Sequence, residues 1–325
     1  MPITRRCFSL AIAAAAGLPA ALARAEDYPS HPIRMIVPYA PGGGADVIGR
    51  IVAKALGETI GQAVIVENRG GGGAIIGTEV VQKATPDGYT LLVGQSGPIS
   101  INPAVYRSLP YDPVKDFAPI TMTTAYPYIL VINAALPAKD LAEFVALAKA
   151  KPGEFNFGTT GVGAANHLVS ELFCARAGLK MTHIPYRGTA LAVSDLLAGR
   201  VTMVFADAVT ALPHIKAGTL RALAVSSKDR AAIAPDVPTI AESGYPGFDA
   251  IGWHGILAPA KTPPAIVKRL NQEIVKAVND PATKALLEAQ AMQIVGNTPD
   301  EFAAFIKQDI ALWQQVATQA NVEVK

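Results

Sequence analysis

From Ile33 onward, short β-rich apolar runs alternate with stretches whose apolar residues recur at helical spacing, and this rhythm leaves few folds open. Ile33-Arg34-Met35-Ile36-Val37 is the first run and ends at Pro38. Val47, Ile48, Ile51, Val52, Leu56 and Ile60 then share one helical face. Ala63-Val64-Ile65-Val66 reads as a second strand, and the glycine run 70–73 precedes another helix through Val80 and Val81. Pro86-Asp87-Gly88 marks a turn before a strand from Tyr89 to Val93. A β-α-β-α-β order in one hundred residues implies a parallel sheet with crossover helices.

A second cycle starts at Tyr128-Ile129-Leu130-Val131-Ile132. A helix over 138–150, the strand 155–157, a helix over 166–177 and the strand 181–186 follow. A helix over 190–198 closes at Gly199, and Val201–Phe205 and Leu220–Val225 complete the set. Residues 231–248 are rich in proline and glycine and read as a connector. In the last part, Ile266, Leu270, Ile274 and Val278 form one helical stripe, and Thr298-Pro299-Asp300-Glu301 is a capping box opening a final helix. The expected fold class is therefore α/β in two lobes, each a mainly parallel sheet flanked by helices.

Half of the 325 residues are apolar and 17% are charged, which excludes a disordered chain. Lys plus Arg is 28 against 26 acids, and aromatics are 6%, so neither a basic nucleic-acid face nor a stacking platform is expected. Residues 1–25 read as a signal peptide. Arg5 and Arg6 precede an alanine-rich uncharged stretch, and Ala23-Arg24-Ala25 places the cut before Glu26. The surroundings of the arginine pair resemble a twin-arginine motif, which leaves the export route open between two systems. The stretch is too alanine-rich, and too broken by Gly17 and Pro19, for a membrane span. Its removal takes Arg5, Arg6 and Arg24 away, leaving 25 bases against 26 acids and Cys174 as the sole cysteine. The mature protein is expected to work outside the cytoplasm, with no internal disulfide.

Two glycine-rich turns occupy matching places between strand and helix: Pro41-Gly42-Gly43-Gly44-Ala45-Asp46 and Gly158-Thr159-Thr160-Gly161-Val162-Gly163-Ala164-Ala165-Asn166-His167. Glycine lets the backbone turn sharply and present N–H groups, and the helix start adds partial positive charge. Such turns suit a carboxylate or phosphate. Either turn is also explained by ordinary β-α loop chemistry.

Other chemistries fit worse. A dinucleotide fingerprint from Gly42 has Val47 where its third glycine belongs, and Gly72 to Thr78 lacks the phosphate-loop lysine. Gly94-Gln95-Ser96-Gly97-Pro98 approaches a nucleophile elbow but ends in proline; an exported serine hydrolase using Ser96 is the alternative reading. A sensor that presents its closed form to a membrane receptor is a third. The five histidines show no metal-ligand spacing, and no cofactor is expected. Asp46 reads as a helix cap, and Asp207 as a cap or a cleft residue.

Together these stretches resemble the Bug family, the periplasmic solute-binding proteins of tripartite tricarboxylate transporters. The likeness rests on Val37 to Asp46, Val66-Glu67-Asn68-Arg69-Gly70, Pro86 to Leu91, Leu109 to Pro113 with Asp116 to Ile120, and Ile184-Pro185-Tyr186-Arg187-Gly188, in order along the mature chain. The chain departs from the family where Gly70-Gly71 replaces a proline and where the second turn lacks a serine, leaving Thr159, Thr160 and Asn166 as its polar residues. The resemblance implies a Venus flytrap whose first lobe holds 26–124 and 251–325 and whose second holds 125–250. It implies a monomeric, non-catalytic receptor that delivers a small carboxylate to membrane transporter subunits. Ligand contacts are then expected from Tyr39, Pro41, Gly42, Gly43, Gly44 and Asp46, from Thr159, Thr160, Gly161, Gly163, Asn166 and His167, and from Gln95, Ser96, Tyr186 and Asp207.

Overall fold

In chain order the strands are β1 (Ile33–Val37), β2 (Val64–Asn68), β3 (Thr90–Gln95), β4 (Phe117–Pro127), β5 (Ile129–Asn133), β6 (Asn156–Thr159), β7 (Thr182–Pro185), β8 (Met203–Ala206), β9 (Leu220–Val225), β10 (Ile251–Pro259) and β11 (Gln293–Ile294). The helices are α1 (Gly44–Ile60), α2 (Ile75–Gln82), α3 (Asn102–Val105), α4 (Leu141–Ala150), α5 (Ala165–Ala177), α6 (Thr189–Leu197), α7 (Ala208–Lys216), α8 (Pro264–Asn279), α9 (Pro281–Ala289) and α10 (Pro299–Ala320). These elements belong to a computed structural model that describes residues 28–39, 41–186, 188–320 and 322. The segment read as an export signal, Ala40 and Arg187 lie outside the described residues.

The strands form two sheets, ordered β11-β4-β10-β3-β1-β2 and β7-β6-β8-β5-β9. Both are mixed, where the sequence predicts mainly parallel ones. In the first, β1 pairs in parallel with β2 and β3, but β10 runs antiparallel to both β3 and β4. In the second, β6 is parallel to β7 and β8, while β5 is antiparallel to β8 and β9. The cause is the long pair β4 and β10, which the alternation does not reveal. β4 carries Pro119 and three threonines, and β10 carries two glycines, so neither reads as an apolar run. The β10 glycines answer to packing. A methyl group at Gly255 would stand 2.3 Å from the Phe302 ring, and one at Gly252 would stand 2.2 Å from the Tyr126 ring.

The chain passes between sheets twice, at Pro127–Tyr128 and through the 226–250 segment. Each sheet is buried on both faces, and the sheet cores include Met35, Leu91 and Ile256 in the first and Val131, Phe205 and Leu223 in the second. Helix α10 serves both: Phe302 and Ile306 pack with Trp253, whereas Trp313, Val316 and Ala317 join the core around Leu168, Leu172 and Phe173. Its start matches the sequence, since Thr298 and Glu301 exchange backbone-to-side-chain bonds of 2.8 and 3.3 Å. Among the described residues no helix is long and apolar enough to cross a membrane.

Candidate functional site

The turn from β1 into α1 leaves donors open. Gly42 has φ +85°, and Gly43 is the extended residue before the helix. Among the described residues the N–H groups of Gly43, Gly44 and Ala45 have no acceptor. A methyl group at Gly42 or Gly44 would meet nothing within 4 Å, so glycine keeps the space above the turn clear.

Asp46 faces back into this turn. One carboxylate oxygen accepts from the Gly42 N–H at 2.9 Å; the other accepts from Asn68 Nδ2 at 2.9 Å and pairs with Arg50 at 3.0 Å. Burial pushes the carboxyl up, but the bonds from Arg50, Gly42 and Asn68 outweigh it and hold the group below its ordinary value. Asp46 therefore has a supporting part, with both oxygens engaged. Asn68 also donates to the Tyr39 carbonyl at 3.1 Å, and a cavity of about 440 Å³ lined by Tyr39, Pro41, Asn68 and Gly73 opens beside the turn.

The second turn, from β6 into α5, is braced by its own side chains. The Thr159 hydroxyl, fully buried, accepts from Gly161 N–H at 3.2 Å and lies 2.6 Å from His183 Nε2. Thr160 donates twice to Asn166 Oδ1, and Asn166 Nδ2 donates to the Phe205 carbonyl at 3.4 Å. Gly163 N–H donates to His167 Nδ1 at 3.1 Å. Gly161 and Gly163 take φ of +137° and +75°, which other residues rarely adopt. Among the described residues the N–H groups of Val162, Ala165 and Asn166 have no acceptor.

Tyr126 and Tyr128 stand on either side of the first crossing, between the two sheets. Their rings meet edge-on with centroids 5.6 Å apart. Burial, helped by the Asp207 carboxylate, pushes the Tyr126 hydroxyl up to about 12, and burial with Tyr126, Asp207 and Tyr39 pushes Tyr128 well up. Tyr39 belongs to the first turn, and Asp207 follows β8 beside the second. Both lie close enough to act on the same tyrosines. Asp207 caps α7, one oxygen accepting from the Thr210 amide and hydroxyl at 2.8 Å each.

The ends of β3 and β10 lie alongside, with Gln95 opposite His254 in the register. His254 is buried, bonds Thr124 Oγ1 at 3.1 Å, sits 5.3 Å from the Tyr126 ring and is pushed down to about 4 by burial. Ser96 is 2% exposed and leads into a π-helical turn over Gly97–Ile101; no described histidine bonds its hydroxyl. Nothing in this arrangement supports the hydrolase reading.

The model of the tripartite tricarboxylate transporter family receptor matches residues 48–322. This chain belongs to that family. It is similar to BugT of Bordetella pertussis, 40% identical over 313 residues that make up 96% of each chain. Among solved structures it resembles periplasmic binding protein BugD, at 33% identity and TM-score 0.79 over 92% of this chain and all of the other. It also resembles R. palustris Rpa4515 with adipate, at 32% identity and TM-score 0.82 over 91% and 99%. The two-lobed fold of periplasmic binding proteins is thus the fold of this receptor.

Within the receptor's frame, the structure brings Tyr39, the 41–46 turn, the 158–167 turn, Gln95, Ser96 and Asp207 to the ends of the two sheets beside the crossing. Tyr186 sits beside the second turn, its amide donating to the Thr159 carbonyl at 2.9 Å, while its hydroxyl donates to Asp195 Oδ2 at 2.8 Å and Asp195 also holds Arg200 at 2.9 Å. Burial and that carboxylate push Tyr186 up to about 12. Sequence reasoning missed Tyr126, Tyr128, His183 and His254. Only Tyr126-Pro127-Tyr128 offered a signal, a pair of aromatics bracketing a proline where one sheet gives way to the next.

Proposed function

We propose that this protein is an exported, non-catalytic receptor that encloses a small carboxylate-bearing metabolite between lobes formed by 26–124 with 251–325 and by 125–250. The ligand's charge is met by the open amides of Gly43, Gly44 and Ala45 on one side and of Val162, Ala165 and Asn166 on the other. Closure removes water from those contacts and strengthens each. The observation that carries this reading is the pair of turns with open amides, one after β1 and one after β6, with Tyr39 and Asp207 both near enough to act on Tyr126 and Tyr128. A relative whose structure holds adipate supports the ligand class. The signal peptide, cut before Glu26, delivers the receptor to the periplasm, where as a monomer it hands the ligand to membrane subunits of the tripartite tricarboxylate type.

A thermal-shift series on the mature protein tests this. Adipate, shorter dicarboxylates, aromatic carboxylates, amino acids and neutral sugars are compared at equal concentration. A ligand bound only by the folded state stabilises it by about 2.7 kcal/mol at one hundred times its Kd. At least one carboxylate raises the melting temperature and the sugars do not; a shift from a sugar alone would overturn the proposal.

A further inference from the structure

His167 and His183 stack with ring centroids 3.8 Å apart and planes 19° from parallel, and Phe157 lies against both rings. Each imidazole holds a different part of the second turn. Because the Gly163 N–H donates to His167 Nδ1, that nitrogen carries no proton, and Nε2–H points toward Glu171 Oε1 at 3.6 Å. His183 Nε2 bonds the Thr159 hydroxyl, which in turn holds the Gly161 amide. These bonds commit both rings to the turn itself, and capture by the open amides leaves them unused.

We propose that His167 and His183 are a positioning pair for the second anion-binding turn, and that proton uptake by the pair opens this turn and weakens ligand binding. The inference rests on the receptor reading above. A proton added at His167 Nδ1 sets two donors facing each other where Gly163 N–H now has an acceptor 3.1 Å away. One of them must move, and Gly163, in a left-handed turn, moves with the residues that present Val162 and Ala165. A proton on either ring also repels one on the other, so the pair takes up one proton before it takes two. Burial, then His167, pushes His183 down to about 4, so the intact turn resists protonation.

Few other charges bear on the pair. From α5 itself Glu171 faces His167. Of the elements in closest contact with α5, β6, β8 and the end of α10 bring no titratable side chain in residues 156–159, 203–206 and 312–320; Tyr245 packs on Phe173, and β7, which carries His183, pairs with β6. The sign follows: the intact turn holds fewer protons than the opened one, so affinity is complete above the ordinary imidazole value near pH 6.5 and is lost progressively as pH falls from there toward the about 4 of His183 in the intact turn. By reciprocity, bound ligand makes the pair harder to protonate.

The test uses the mature, ¹⁵N-labelled protein between pH 7 and 4.5, reading Gly163 amide exchange and the imidazole nitrogens without ligand, and adipate affinity at pH 7 and 5. In the wild type, Gly163 protection falls relative to core amides as an imidazole takes up its proton. His167→Asn puts an amide oxygen near the place of Nδ1, accepts at every pH, and flattens that profile; His167→Leu leaves Gly163 unprotected throughout. With one proton linked to binding, the wild type loses up to about tenfold more adipate affinity per pH unit than His167→Asn, adipate's own titration being common to both. Parallel profiles for the wild type and His167→Asn, in exchange or in affinity, would overturn the proposal. If adipate and the other carboxylates fail to bind at pH 7, the receptor reading falls, and the Gly163 profile still decides the pair.

Discussion

Asp46 joins the Gly42 amide, Asn68 and Arg50, and through Asn68 it reaches the Tyr39 carbonyl. Replacing it takes the acceptor from the Gly42 N–H and from one of the two Nδ2 hydrogens of half-buried Asn68, the other still donating to the Tyr39 carbonyl. Asp46→Ala is expected to cost roughly 1–3 kcal/mol in chemical denaturation and to weaken carboxylate binding through the loosened turn. Because the folded carboxyl lies below its ordinary value, the wild type's advantage is complete above the unfolded value near pH 3.9. It shrinks as pH falls through the folded value, and a difference that persists unchanged in strong acid contradicts this assignment. At this scale the glycines were legible in the sequence because their role is a property of the backbone between a strand and a helix. His183 and Tyr126 were not. What they do depends on partners far along the chain, Thr159 and His167 for one and Asp207 for the other.

Among the elements, the parallel strands and their helices announced themselves through apolar periodicity, whereas β4 and β10 did not. Their prolines and glycines lower β-propensity and their threonines hide the apolar run, and packing between neighbours restores the strands. Gly94 shows the same logic as Gly255, since a methyl group there would stand 2.3 Å from Leu257. The helix α10 is therefore fitted to β10 through a missing side chain. Gly255→Ala forces the Phe302 ring aside and is expected to destabilise by about 1–3 kcal/mol. The double variant with Phe302→Leu removes the clash, so its loss should be smaller than the two single losses added together. Urea melts of the four proteins give this cycle directly, and simple additivity would mean that the contact is relieved elsewhere.

For the molecule as a whole, two halves could be read from two rounds of strand and helix, but their joint could not. The joint consists of two crossings and one helix; the helix spans the cores of both halves, and the second crossing adds Ile240, Phe248 and Ala250. Trp313 is fully buried, and it lies with Val316 and Ala317 among Leu168, Leu172 and Phe173 of the second half, alongside Ile101 and Val105 from the first. Toward its start the same helix is anchored to the first sheet by Phe302 and Ile306, and Asp309 accepts from Trp253 Nε1 at 2.8 Å. Neither half can unfold without exposing apolar surface on the other, so the two should melt as one unit, with calorimetric and van't Hoff enthalpies equal. Trp313→Ala opens a cavity in this shared core at a cost of about 3–5 kcal/mol. Its effect on cooperativity separates this account from a purely local one. With the shared core weakened, the halves are held only by their crossings, and the single transition should broaden or split. A variant that melts lower but still in one sharp step would show that the crossings alone couple the two sheets.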